Sequence, residues 1–336
     1  MSPKATSEEH LPDRPYHRFV RVSAACVAVI IAAGALVTTT RTGLSVPDWP
    51  TTFGTFFPPF ALWVNGVEFE HTHRLIAGVI GLFTMISCVW VIRRDARRGV
   101  RFLAGAAICA VLVQAMLGGL TVLLKLPPAV SASHGTLGQT FFCLMVALSM
   151  VTSPSWAAAG RREADGAALA LQMLSVMLFI TVWSQLVIGA TMRHLHAGLA
   201  ILDFPTSQGQ WVPDFVNVGV AVNFAHRMGA LVVFVLATSL VALTLARFRD
   251  DARLVSAALR IAGLVALQVT LGAFIVWTHR SVIVTSLHVL NGALVLVSAL
   301  VMLLWAFRLY APAAVVRAAR PRAQGVGTPA VQGAVS

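Results

Sequence analysis

Eight long apolar segments divide the chain, and they constrain its fold more than any other feature of the sequence. They cover about 22–40, 73–92, 102–124, 134–152, 168–191, 223–246, 257–277 and 285–307. Each has about the 20 residues that an α-helix needs to cross the apolar core of a bilayer. The chain is 57% hydrophobic and only 11% charged, whereas a soluble domain is about 25% charged. We therefore expect an all-α, polytopic membrane protein with eight transmembrane helices.

The arginines and lysines indicate how these helices are oriented. Most of the 25 Lys and Arg residues lie in the N-terminal segment, in the tail or in alternate loops, such as the run at 93–101. Cytoplasmic loops of membrane proteins are enriched in these residues, so both termini are expected in the cytoplasm. The net charge of +12 follows from this topology. No nucleic-acid partner is expected, because no motif for binding one is present.

Landmarks of the first half recur in the second half at a spacing of 153–155 residues. Such self-similarity indicates a tandem duplication. A unit of four helices crosses the membrane an even number of times, so both copies have the same orientation. We expect two tandem, pseudo-symmetric four-helix bundles. The paired landmarks are His73 and His226, His134 and His288, Asp48 and Asp203, and Gln114 and Gln268.

The repeat divides the chain into five parts. Residues 1–21 form a cytoplasmic N-terminal segment and residues 22–152 form the N-terminal bundle. Residues 153–167 link it to the C-terminal bundle, which covers 168–307. Residues 308–336 form a cytoplasmic tail, which is expected to be disordered.

Four histidines lie near the predicted outer ends of apolar segments: His73 and His134 in the first bundle, His226 and His288 in the second. An ionisable residue in a membrane segment is costly and is by default a functional candidate. One such residue alone could be a hydrogen-bonded packing residue, but two equivalent pairs favour ligation. Facing helices can hold a haem iron between two imidazoles. Zinc is disfavoured, because neither pair has suitable third and fourth ligands. We expect one haem site in each bundle.

Arg74 and Arg227 directly follow two of these histidines. The planar guanidinium group suits carboxylates, which makes both arginines candidate partners for haem propionates. The alternative is a cation that extends from the helix end to the membrane surface.

The two predicted sites differ in one ionisable residue. Glu70 precedes His73 by three positions, which places both on one face of a helix, whereas the matching position of the second half is Asn223. A carboxylate beside a porphyrin could act as a base or stabilise positive charge on a ring substituent. The alternative is a cap or an ion pair at the membrane surface. The asymmetry predicts chemistry in the first site and a permanent haem in the second.

The remaining polar residues of the outer side have simpler interpretations. Gln114 and Gln268 are expected to form hydrogen bonds between helices. Asp48 and Asp203 lie beside prolines and are expected to form turns. Four further histidines are expected at the interface rather than as ligands: His71, His194, His196 and His279.

Taken together, these motifs resemble those of the heme A synthase family. The resemblance covers about 22–307 and joins several motifs, none of which is specific alone. The motifs are Gly-Leu-Ser-Val-Pro-Asp-Trp-Pro from Gly43, Glu70-x-x-His73-Arg74, His134, Asp203-Phe204-Pro205, His226-Arg227 and His288.

The resemblance implies an oxidoreductase with eight helices in two bundles. The family oxidises the C8 methyl group of haem O to a formyl group and so makes haem A. By resemblance, His226 and His288 ligate haem b, His73 and His134 flank the substrate haem, and Glu70 is the essential glutamate.

The resemblance also implies partners and a location. Haem O is the substrate, haem A is delivered to terminal cytochrome oxidase, and a complex with heme O synthase is expected. The protein would lie in the bacterial inner (plasma) membrane, with its haem sites towards the outer face. The electron donor is unknown and a homo-oligomer is left open. Some members have cysteines in the outer loops, but all four cysteines here lie in apolar segments.

Two other functions would also explain paired histidines. A dihaem b-type electron-transfer protein needs all four, but it leaves Glu70 without a role. A haem transporter or chaperone needs a path across the membrane, which ligands clustered at the outer side disfavour.

Overall fold

The computed structural model describes residues 14–318. Its eight long helices are α1 Arg14–Thr39, α2 Val67–Arg94, α3 Arg98–Leu123, α4 Pro128–Val151, α5 Gly166–His194, α6 Val218–Arg247, α7 Ala252–Trp277 and α8 Val282–Leu309. All eight are long and apolar enough to cross a membrane. The predicted fold class, an all-α polytopic membrane protein with eight transmembrane helices, is confirmed.

Polar residues fix where several of these helices begin. Asp165, Asn217 and Asp251 each accept a hydrogen bond from a backbone N–H in the first turn of α5, α6 and α7. Such caps satisfy N–H groups that have no partner inside the helix. Pro128 is the first residue of α4, where its missing N–H costs nothing.

Each half of the chain forms a closed set of neighbouring helices. In the first half α1 packs against α2 and α4, and α3 packs against α2 and α4. In the second half α5 packs against α6 and α8, and α7 packs against α6 and α8. The halves meet through α1, α4, α5 and α8, and α8 is the most buried of the long helices. The tandem pseudo-symmetry itself stays a prediction.

The two short turns after α3 and α7 have the same backbone conformation. Lys125 and Leu126, after α3, both have positive φ angles, and so do His279 and Arg280, after α7. None of these residues is glycine, so each pays a steric cost for the left-handed conformation. Each turn closes with a backbone hydrogen bond, to the carbonyl of Thr121 in the first turn and Ile275 in the second.

The linker contains secondary structure, and the start of the tail is more ordered than expected. The linker contains a short helix, Pro154–Ala157, and a strand, β1 Arg162–Glu163. This strand pairs in parallel with β2 Tyr310–Ala311, and Gln172 of α5 donates a hydrogen bond to the Tyr310 carbonyl at 3.0 Å. A last helix covers Ala313–Ala318. Disorder is therefore wrong for 308–318, because β1 and Gln172 supply backbone partners there. The rest of the predicted tail, 319–336, lies outside the described residues.

Candidate functional site

Each of the four predicted ligand histidines lies against a glycine of the preceding long helix. A Cβ atom added at any of these glycines would lie 3.0–3.4 Å from the imidazole Cε1 atom. At Gly34, Gly118 and Gly189 even a Cβ atom would be tight and the ring would have to shift, whereas at Gly272 it would make an ordinary contact. The pairs are His73 with Gly34, His134 with Gly118, His226 with Gly189 and His288 with Gly272.

The hydrophobic pattern does not distinguish these four glycines from other glycines, but their spacing in the repeat does. Gly189 follows Gly34 by 155 residues and Gly272 follows Gly118 by 154 residues. These are the spacings of the histidines and loop motifs. A search of the sequence for matching glycines would therefore have found them.

The second pair of histidines has the separation that a shared haem iron needs. The ring centres of His226 and His288 are 6.4 Å apart, with an angle of 60° between the ring planes. A metal–imidazole bond is about 2 Å long, so two imidazoles on one iron have ring centres roughly 6 Å apart. These residues therefore fit a haem held by two histidines.

The first pair offers buried nitrogen atoms. The Nδ1 atoms of His73 and His134 are buried, and neither has a hydrogen-bond partner among residues 14–318. A buried polar atom without a partner is costly and needs an explanation. Ligand binding between α2 and α4 is such an explanation, since both rings are held at their glycines.

Glu70 lies three positions before His73 on α2, is buried, and has a partner on each carboxylate oxygen. It is 4% exposed, and its Oε1 atom lies 2.7 Å from the Nη2 atom of Arg74. Its Oε2 atom accepts a hydrogen bond from the Val46 N–H at 3.0 Å. The carboxylate thus has a fixed orientation at the junction of α2 and the long loop between α1 and α2.

Arg74 also holds this loop by its carbonyl groups. Its Nη1 atom donates to the Asp48 carbonyl at 2.7 Å and to the Thr51 carbonyl at 2.6 Å. Its Nη2 atom lies 3.4 Å from the Val46 carbonyl. Both terminal nitrogens are engaged, so a propionate would have to bind at Nε or displace the loop. The propionate role of Arg74 stays a prediction.

Arg227 holds the second long loop in the same way. It donates to the carbonyls of Thr206 at 2.7 Å and Ile201 at 3.3 Å. Its Nε atom donates to the Asn223 side chain at 3.1 Å, and Asn223 in turn donates to the Ala197 carbonyl at 2.9 Å. Asn223 thus has the structural place of Glu70 without its charge. The propionate role of Arg227 also stays a prediction.

Asp48 and Asp203 each close a turn in these loops, as expected from the sequence. The carboxylate of Asp48 accepts hydrogen bonds from the Thr51 hydroxyl and from the N–H groups of Phe53 and Gly54. Burial alone would raise the pKa of Asp48, but these bonds outweigh it and lower the pKa to about 2. The carboxylate is therefore charged at neutral pH and keeps its turn closed.

Asp203 repeats this turn in the second half. It accepts hydrogen bonds from the Thr206 hydroxyl and the N–H groups of Gln208 and Gly209. The bond from Thr206 is the main cause that lowers the pKa of Asp203 to about 2. The interpretation of both aspartates as turn formers is confirmed.

The first loop packs closely on the helices that carry the site. A Cβ atom at Gly119, next to the glycine that contacts His134, would lie 2.7 Å from the Trp49 ring. His71 is 2% exposed, and its Nδ1 atom lies 2.9 Å from the Thr52 hydroxyl. His71 is thus buried under the loop rather than at the interface. Of the other three, His194 ends α5, and His196 and His279 lie in outer turns.

Glutamines connect neighbouring helices next to the histidines. Gln114 donates to the His134 carbonyl at 2.9 Å and Gln268 donates to the His288 carbonyl at 3.1 Å. The interpretation of both as residues that bridge helices is confirmed. Gln185 makes the same kind of contact to His226. No repeat landmark marks Gln185, because the matching residue of the first half is Ile30.

Comparison with known proteins gives one consistent result. Residues 66–301 match the model of a family described as cytochrome oxidase assembly protein, COX15-CtaA. A heme A synthase of Shouchella clausii is 28% identical over 259 residues, which are 76% of this chain and 84% of that protein. One of Symbiobacterium thermophilum is 32% identical over 225 residues, 64% of this chain and 72% of that protein. One of Shewanella oneidensis is 26% identical over 317 residues, 83% and 93% of the two chains.

Proposed function

The chain belongs to the COX15-CtaA family of cytochrome oxidase assembly proteins, and from this premise we propose how it works as a heme A synthase. It is an oxidoreductase that converts haem O to haem A by oxidising the C8 methyl group to a formyl group. The N-terminal half holds haem O between His73 and His134. The C-terminal half holds a permanent haem b between His226 and His288.

One difference between the halves carries this proposal. Glu70 and Asn223 occupy matching places, and each contacts the arginine that anchors a long outer loop. The amide of Asn223 shows that a loop anchor does not need an acid. We therefore assign the buried carboxylate of Glu70 to chemistry, on the helix face that also carries His73.

The protein supplies orientation and charge to the reaction. Arg74 and the Val46 N–H fix the carboxylate of Glu70, so no reorganisation is needed when charge develops on the substrate. Glu70 then stabilises positive charge at the oxidised carbon or accepts its proton. A bound haem b would supply a one-electron redox centre. Trp49 packs on Gly119 and so fixes the first long loop against α3.

The arrangement of charges supports the proposed location. The arginine-rich run from Arg93 to Arg101 connects α2 and α3, whereas the histidines lie near the opposite ends of their helices. The protein is thus proposed to have both termini in the cytoplasm and its haem sites near the outer face. A complex with heme O synthase would bring haem O to this membrane site. The electron donor and any homo-oligomer are left open.

The rival functions explain less of the molecule. A dihaem electron-transfer protein accounts for the four histidines but not for the acid–amide difference at Glu70 and Asn223. A haem transporter accounts for neither the fixed carboxylate nor the relatives named heme A synthase.

The decisive experiment identifies which haems the protein makes. The chain is expressed with a supply of haem O, and the extracted haems are separated and identified by mass. We expect haem A from the unchanged chain and at least about a 100-fold loss of it in Glu70→Gln, as for other groups that stabilise transition-state charge. Glu68→Gln is the matched control, because Glu68 lies two residues away on α2 and contacts only the start of that helix.

The result has two ways to fail. If the unchanged, folded protein yields only b-type and o-type haem, the chain is not a heme A synthase under these conditions and the proposal is lost. If Glu70→Gln still makes haem A at the normal rate, the enzyme assignment stands but the role of Glu70 is wrong.

A further inference from the structure

Gln185 holds His226 from the neighbouring helix. Its Nε2 atom lies 3.0 Å from the Nδ1 atom of His226 and donates to the backbone carbonyl of the same residue. Gly229 leaves the room for this amide, because a Cβ atom there would overlap the Gln185 Oε1 atom. A glutamine on α5 and a glycine on α6 therefore act together to hold one ring nitrogen of His226.

A second amide group holds His288. The Nε2 atom of Gln268 lies 3.2 Å from the Nε2 atom of His288 and donates to its carbonyl. Asn291 fixes this glutamine by donating to its Oε1 atom at 2.8 Å, and also donates to the Leu264 carbonyl at 2.8 Å. The amide of Gln268 is thus fixed from both ends, and one nitrogen of the His288 ring is held.

The first half lacks this arrangement. Counted back by the spacings of the repeat, Ile30 replaces Gln185, Ile76 replaces Gly229 and Leu137 replaces Asn291. The exchange is coordinated, since the glutamine and the glycine that makes room for it are both replaced by isoleucine. Gln114 keeps its bond to the His134 carbonyl, but its Oε1 atom is buried without a partner among residues 14–318.

The consequence for metal binding follows from general chemistry. A partner on the second ring nitrogen orients a ligand histidine, and its loss typically weakens metal binding about 10–100-fold. The amides of Gln185 and Gln268 orient their rings by contacting both a ring nitrogen and the backbone carbonyl of the same histidine. His226 and His288 have such partners, whereas His73 and His134 have none among residues 14–318.

We infer that Gln185, with Gly229, and the Gln268–Asn291 pair are positioning residues that make the C-terminal half retain its haem. In the N-terminal half the matching residues are apolar, namely Ile30, Ile76 and Leu137, and they offer no hydrogen bond to the histidine rings. This half therefore exchanges its haem. The inference rests on the proposed function, because an enzyme of this kind must release its product but keep its cofactor. It assigns the difference in retention to residues that do not contact iron.

The test transplants the residues of one half into the other. The purified full-length protein, loaded with haem b in lipid nanodiscs, is mixed with excess apomyoglobin, and haem transfer is followed by absorbance. We expect the double variant Gln185→Ile/Gly229→Ile and the single variant Asn291→Leu to release haem about 10–100-fold faster. The reciprocal triple variant Ile30→Gln/Ile76→Gly/Leu137→Asn should slow release from the first half. Gln172→Ile is the control, because it removes a buried amide of α5 that contacts only the C-terminal end of α8 and the adjoining strand.

A second measurement covers variants that fail to fold. Gln185→Glu keeps the shape of the side chain and places a stronger acceptor at the ring, so the midpoint potential of haem b should fall. Unchanged release rates in the transplanted variants overturn the inference, and so does an unchanged potential in Gln185→Glu. Haem release and potential do not depend on haem A formation. Failure of this inference can therefore be told apart from failure of the proposed function.

Discussion

The two halves of the molecule hold their histidines alike but differ in what surrounds them. In both halves a glycine of the preceding helix receives each imidazole ring, and an arginine anchors the long outer loop by its carbonyls. The first half adds a buried acid, Glu70, and apolar neighbours. The second half adds Asn223 and a set of amides around His226 and His288.

This difference shows how one scaffold can serve two purposes. The helix packing and the glycines that contact the histidines are common to both halves. In the proposed function, the charge and hydrogen bonds around these histidines distinguish a site for chemistry from a site for retention. A buried charge is costly unless it is paired, which is why Glu70 and Arg74 occur together.

The strongest expected effect comes from filling a glycine contact. Gly189→Val would place methyl groups against His226, because a Cβ atom at Gly189 would already lie 3.0 Å from the Cε1 atom of that ring. We expect at least about a 10-fold loss of bound haem b, measured as haem b per protein after purification. Gly34→Val should instead leave haem b in place and stop haem A formation, because it displaces His73.

Gly263 provides the control for these substitutions. It lies on α7, and a Cβ atom there meets nothing within 4 Å, so Gly263→Val should keep both haem b and activity. Equal loss of haem b in the Gly34 and Gly189 variants would contradict the assignment of one haem to each half.

The next prediction compares the stability lost when the arginine beside Glu70 and the arginine beside Asn223 are each replaced. Arg74→Gln would leave the buried Glu70 carboxylate without its cation, and breaking a buried ion pair typically costs about 3–5 kcal/mol. Arg227→Gln leaves only a neutral amide behind and should cost about 1–3 kcal/mol. Thermal unfolding of the purified variants in detergent should therefore show the larger fall in Tm for Arg74→Gln.

The double variant Glu70→Gln/Arg74→Gln sharpens this test. It removes the unpaired charge, so its Tm should lie above that of Arg74→Gln alone. If the two arginine variants lose the same stability, the halves do not differ in the way that Glu70 and Asn223 indicate.

Much of this architecture could be predicted from the sequence, because the membrane restricts what a chain can do. Lipid offers no partners to the backbone, so about 20 apolar residues can be interpreted as a helix. The four histidines could be singled out as candidate ligands because ionisable residues stand out against an apolar background. The turns at Asp48 and Asp203 were found because aspartate and proline have strong local preferences.

What the sequence did not reveal depends on contacts between helices. The role of Arg74 as a loop anchor depends on carbonyl groups of Asp48 and Thr51, which are far from it along the chain. The amide of Gln185 could not be assigned to His226 without the packing of α5 on α6. The order in 308–318 also comes from distant partners, namely β1 and Gln172.

A smaller effect tests how the loops close over the two halves. Gly119 contacts Trp49, and the matching residues of the second half are Ala273 and Phe204. Gly119→Ala should therefore destabilise the protein by about 1–3 kcal/mol through overpacking, measured by thermal unfolding. Adding Trp49→Phe should restore much of the loss, because it reproduces the pair of the second half. No recovery would mean that Trp49 does not limit the space at Gly119.

The smallest effect should be equal in the two halves. The pKa values of Asp48 and Asp203 are both lowered to about 2, against about 3.9 in an unfolded chain. Because the pKa is lower in the folded protein, the charged carboxylate stabilises the turn fully at any pH above the pKa of the unfolded chain. This stabilisation is lost as the pH falls from that pKa through the pKa of the folded protein. Hydrogen exchange at Gly54 and Gly209, corrected for intrinsic rates, should thus lose protection between about pH 4 and pH 2. Asp48→Asn and Asp203→Asn should each abolish this pH dependence in their own loop only, because an amide does not titrate. A response confined to one loop of the unchanged protein would show that the two turns, despite the same hydrogen bonds, differ in stability.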